Sequence, residues 1–119
     1  MSAPLRARRR RPATGTPEAL VKRAVLDGLH AHGWPAWKIN SGAVVAEHKG
    51  KRRYVQFSFA GAPDIVALMP DGRTLWVECK ADKGRLSEAQ RAFAALCKER
   101  GTPWVCARSW DDVAPWVRP

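Results

Sequence analysis

Cysteine is scarce in this chain, acids are outnumbered, and long apolar runs are missing. Three cysteines occur in 119 residues, Cys79, Cys97 and Cys106. That odd, widely spaced set excludes a disulfide framework and a CxxC metal knuckle. His30, His32 and His48 stand at no zinc-binding spacing either. The thiols are therefore expected reduced, packed as small apolar side chains. No stretch approaches the roughly 20 apolar residues of a membrane span, and no signal-peptide core follows Met1. The expectation is a soluble, cytoplasmic protein with no membrane partner.

Acids number 11 against 21 lysines and arginines, which leaves a net charge of +10 and a pI near 10.4. Residues 1–12 hold five arginines and no acid. Taking those five from +10 leaves +5 on the rest, so the surplus is not confined to the tail. A surplus of this size points to a polyanion, most often nucleic acid.

Residues 1–13 (MSAPLRARRRRPA) show no apolar period and read as a flexible basic arm, either one that touches phosphates without base preference or an idle terminus. Residues 14–119 read as one domain. Its first helix starts at Thr16, a good N-cap, with Pro17 at the first helical position and Glu18 in the first turn. Leu20, Val21, Ala24, Val25 and Leu29 make an apolar stripe, and Gly33 ends the helix. Short extended segments follow at 37–40, 44–46 and 54–59, the last two flanking a basic tip, HKGKRR (48–53). DIVALM (64–69) and TLWVECK (74–80) are apolar on both faces, as central strands are. A second helix is expected over 87–100, buried through Ala89, Phe93, Leu96 and Cys97, and 103–109 is a last strand. The order is helix, three or four strands, helix, strand: an α/β sandwich around a small mixed sheet.

Chemistry concentrates in GAPDIVALMPDGRTLWVECK, residues 61–80. Pro70-Asp71-Gly72 suits a three-residue hairpin loop, with Pro opening a type I turn and Gly in the left-handed position. That loop pairs Met69 with Arg73 and sets Asp64 opposite Glu78, with Lys80 on the same face. A two-residue turn would slip the register and put Asp64 opposite Cys79 instead. Two adjacent carboxylates repel unless a proton or cation lies between them, and oxygen ligands of this kind suit Mg²⁺ or Mn²⁺. Lys80 would position a water or stabilise developing negative charge. As a salt pair alone, Glu78 and Lys80 would leave unexplained why charge sits on an otherwise apolar strand.

The ordered set G-x-P-D, hairpin, E-x-K resembles the PD-(D/E)XK nuclease superfamily, and GRLSEAQ (84–90) resembles its VRR-NUC branch. The resemblance runs from about Glu18 to Arg108. It implies a restriction-endonuclease-like α-β-β-β-α-β fold and Mg²⁺-dependent hydrolysis of DNA phosphodiesters, with Mn²⁺ able to substitute. It carries Asp64, Glu78 and the first-helix acid Glu18 over as metal ligands, Lys80 as the catalytic lysine and Gln90 as a further catalytic residue. Glu18 is equally a dipole-favoured first-turn acid, and Ser87-x-x-Gln90 equally a capping box. Lys49, Lys51, Arg52 and Arg53 on the tip, and Lys83 and Arg85 after Lys80, are the candidate DNA contacts. Any exposed tryptophan among the six offers a face to unpaired bases. The resemblance further suggests branched DNA such as Holliday junctions or flaps, acted on by a homodimer in a bacterial or phage-infected cell during repair or recombination. The alternatives are a non-catalytic DNA-binding module on the same fold and a basic RNA-binding protein.

Overall fold

The computed structural model describes residues 15–39, 43–56 and 59–118. The expected basic arm, and the turn expected at Asn40-Ser41-Gly42, lie outside the described residues. Helix α1 spans Pro17–Ala31, and its start is as the sequence dictates: Thr16 Oγ1 accepts a hydrogen bond from the Ala19 N–H at 3.1 Å. The buried face is Val25 and Leu29, flanked by partly buried Val21 and Leu26. Leu20 and Ala24, expected on that stripe, face outward. The arc of α1 against the sheet is narrower than the apolar arc of the sequence.

Strands β1 (Ala36–Lys38), β4 (Ile65–Leu68), β5 (Thr74–Cys79) and β6 (Trp104–Ala107) form one mixed sheet in the order β1-β4-β5-β6. The first two pairings are antiparallel, and β5–β6 is parallel. The parallel pair is joined by helix α2 (Glu88–Arg100) as a crossover. Strands β2 (Ala43–His48) and β3 (Lys51–Gln56) make a separate antiparallel hairpin, so five strands rather than the expected three or four precede α2. Its turn is only Lys49-Gly50, with φ of 55° and 78°. The basic tip expected over 48–53 is therefore shorter, because two adjacent left-handed residues suffice to reverse the chain. A 3₁₀ turn (Trp110–Asp112) and a short helix α3 (Ala114–Val117) close the chain.

Alternation along β4 and β5 sorts the side chains into two layers. Ile65, Ala67, Leu75 and Val77 are fully buried and join Val25, Leu29 and Val113 in the core. Burying a Val, Leu or Ile side chain of this kind contributes roughly 1.5–3 kcal/mol. On the opposite face Trp76 meets Phe93 of α2 edge to face, 5.4 Å between centroids. Of the stripe expected on α2, Cys97 is buried, Phe93 and Leu96 are half-buried, and Ala89 is exposed. Among the described residues, no helix is long and apolar enough to cross a membrane.

Candidate active site

The β4–β5 hairpin sets the site. Met69 N–H donates to Arg73 O at 2.8 Å and Gly72 N–H to Met69 O at 2.9 Å, with Gly72 at φ 92°. This is the three-residue loop, and Leu68↔Thr74 through Ile65↔Val77 follow from it. One step further, Asp64 lies across from Glu78. Arg73 is taken up locally by Asp71, whose carboxylate it grips at 2.8 Å and holds below its usual range.

Asp64 stands just outside β4, after buried Pro63, so its side chain is not bound to the pleat. Its Oδ2 accepts the Cys79 N–H at 2.8 Å, and its Oδ1 lies 3.4 Å from Lys22 Nζ. Glu78 is only 2% exposed. Its Oε2 accepts from Gln90 Nε2 at 3.0 Å, whereas buried Oε1 has no hydrogen-bond partner. Burial, reinforced by the neighbouring Asp64 charge, pushes the Glu78 carboxyl up to about 8. Lys80 opposes that rise, and Glu18 adds to it. Glu78 therefore holds its proton into the neutral range unless a cation takes its place.

Gln90 caps α2 and reaches Glu78 at the same time. Ser87 N–H donates to Gln90 Oε1 at 2.8 Å and Gln90 N–H to Ser87 Oγ at 3.1 Å, completing the capping box. The amide nitrogen left over is the one that reaches Glu78. Lys80 is half-buried, and its N–H is anchored on Ala107 O at 3.0 Å. Glu18 lies on the first turn of α1, its Oε2 4.0 Å from Lys22 Nζ. Lys22 thus bridges Glu18 and Asp64, a role that sequence reasoning missed; its only trace was the four-residue spacing from Glu18. Arg108 was missed as a clamp: its Nη1 donates to Ala81 O at 2.6 Å and Asp82 O at 3.2 Å, pinning the loop that follows Lys80.

The expected DNA contacts are dispersed. Lys83 and Arg85 are exposed on that pinned loop, and Lys49, Lys51 and Arg52 are exposed at the β2–β3 tip. The Arg53 side chain lies outside the described residues. Trp34 is buried, but Trp37 on edge strand β1 is 53% exposed. Strand β1 runs past the site, since Ile39 N–H donates to Asp64 O at 2.7 Å.

The family model of the VRR-NUC domain matches residues 16–111, a span that contains every residue of this site. The chain belongs to the VRR-NUC domain family. A solved VRR-NUC domain structure superposes on it with a TM-score of 0.61 at 20% identity, covering 87% of this chain and 97% of that one. That likeness supports the fold. No curated protein matches the sequence. This VRR-NUC chain is accordingly a nuclease-like, DNA-processing α/β domain.

Among the described residues, no three His, Cys, Asp or Glu side chains gather into a ready-made metal cage. The VRR-NUC site offers a pair, with Lys22 interposed between Asp64 and Glu18. The pair nevertheless fits a hard cation. Glu78 Oε1 is a buried, unpartnered carboxylate oxygen beside a second carboxylate. Mg²⁺ typically binds through one or two carboxylates and completes its shell with water and phosphate oxygens.

Proposed function

We propose that this VRR-NUC domain, residues 14–119 behind a basic arm at 1–13, is a Mg²⁺-dependent DNA endonuclease. The observation that carries this reading is the buried Glu78 carboxylate, one oxygen unpartnered, across the hairpin from Asp64. Asp64 and Glu78 would hold the ion, with Glu18 as a further acid of the site and Mn²⁺ an acceptable substitute. When bound, the ion polarises the scissile phosphate and makes a coordinated water more acidic. Gln90 keeps Glu78 oriented through its amide. Lys80 stabilises the negative charge that builds on the phosphate oxygens during attack. Lys83 and Arg85 neutralise neighbouring phosphates, and the tip residues Lys49, Lys51, Arg52 and Arg53 contact the backbone further along.

Branched or flapped DNA is the proposed substrate, with two copies of the domain serving a two-fold junction. Support for unpaired bases comes from Trp37, an exposed indole on the strand that passes Asp64. Stacking on such a ring contributes about 1–3 kcal/mol per base. The test uses labelled four-way junction, flap, single-stranded and duplex DNA with Mg²⁺, Mn²⁺ or EDTA, beside Asp64→Ala and Lys80→Ala proteins. Metal-dependent cleavage lost in both variants is expected, with junction or flap cut fastest. Binding without cleavage under every metal condition would replace this reading with the non-catalytic DNA-binding module.

A further inference from the structure

We propose that Lys22 is a tethered counter-ion of the acidic pair, filling the cation position at Asp64 until a divalent ion displaces it. The inference rests on the metal-nuclease reading and adds a residue that sets how tightly the ion is held. Lys22 reaches from α1 across to the start of β4, its Nζ 3.4 Å from Asp64 Oδ1 and 4.0 Å from Glu18 Oε2. The pairing is no freely solvated surface contact: the Lys22 side chain is 31% exposed and that of Asp64 13%. The other Asp64 oxygen is occupied by the Cys79 N–H. An incoming ion that binds Asp64 through Oδ1 therefore comes within a few ångströms of the ammonium.

Two cations so close oppose each other, because like charges a few ångströms apart in a partly desolvated pocket repel strongly. Lys22 and the divalent ion are consequently competitors, with the lysine always present at high effective concentration. Its flexible four-carbon stem lets the ammonium swing away without disturbing α1. Without an ion, the same ammonium relieves repulsion between Asp64 and its acidic neighbours. Glu78 Oε1 remains without a hydrogen-bond partner, and Lys22 pairs with Asp64 and Glu18.

The test is DNA-free: Mg²⁺ titration by calorimetry and Mn²⁺ titration by the paramagnetic resonance of the free ion, on wild type, Lys22→Met and Lys22→Arg. Methionine keeps an apolar stem and removes the charge; arginine keeps the charge. Lys22→Met is expected to bind either ion about tenfold more tightly, equivalent to about 1.4 kcal/mol, while Lys22→Arg binds no tighter than wild type. Lys22→Met should also melt lower than wild type in EDTA and gain more from added Mg²⁺. Unchanged or weaker binding in Lys22→Met, with wild type binding normally, overturns this inference alone. No binding by any of the three folded proteins removes the metal-nuclease reading and this inference with it.

Discussion

Glu78→Gln separates the cost of the site from its use. In the absence of metal the folded chain holds the Glu78 proton up to about 8, whereas the reference carboxyl releases it near 4.5. The folded pKa is the higher one, so folded protein binds more protons between these values and stability falls as pH rises. The contribution is fully present below about 4.5, declines across the interval, and is level above about 8. At ~1.4 kcal/mol per pH unit, the stability lost by pH 7 is ~3 kcal/mol. Glutamine carries no charge and can still accept from Gln90, although an amide must be accommodated where Oε1 now lies unpartnered. The net expectation at pH 7 in EDTA is a stabilisation of about 1–3 kcal/mol, raising the melting temperature by about 4 °C or more. Circular-dichroism melts from pH 5 to 9 in EDTA read it directly: wild type should lose stability as pH rises, and Glu78→Gln should not. Added Mg²⁺ should raise the wild-type melting temperature and leave the variant unmoved. Parallel wild-type and variant curves across that range would refute the reasoning, because Glu78 would then be ordinarily solvated.

Further expectations concern the supports around the pair. Gly61 has φ 82°, and a Cβ there would collide with the Ala89 carbonyl oxygen of α2. Gly61→Ala should therefore cost about 2–4 kcal/mol in urea denaturation, from left-handed strain and a forced backbone shift together. Arg108→Ala removes the clamp on Ala81 and Asp82. The Gly84 amide, bonded to Ala81 O, should exchange about tenfold faster, while global stability falls by only about 1 kcal/mol. Cys79 is fully buried and its thiol is pushed up to about 12, chiefly by burial. It should resist thiol reagents in the native protein and react only on unfolding, as peptide-mapped alkylation can check.

The parts of this structure that were legible in the sequence are those governed by near neighbours. Thr16, Pro17 and Glu18 start α1 because cap, ring and charge act within one turn. Pro70-Asp71-Gly72 dictates a three-residue loop, and the loop alone fixes which residues of β4 and β5 face each other. Hence the Asp64–Glu78 juxtaposition follows from the sequence alone. Ser87 and Gln90 likewise announce their capping box through spacing. Where local rules had two solutions, the sequence was less informative: the β2–β3 turn needed two residues, although the basic segment 48–53 offered six.

Everything that depends on how elements meet was decided only by the tertiary structure. Leu20 and Val21 are both apolar and adjacent, yet α1 presents only one of them to the core. Six tryptophans look alike in sequence, but Trp34 is buried in the core while Trp37 is left exposed on edge strand β1. The amide that Gln90 has to spare after capping α2 finds Glu78 because α2 returns across β5. Lys22 meets Asp64, and Arg108 meets Ala81, over long stretches of chain. Periodicity and turn chemistry therefore determined the elements, the hairpin register and the acidic pair. Which groups desolvate Glu78, pair with Asp64 and pin the loop after Lys80 followed from packing, because burial and long-range contacts exist only once the layers have closed.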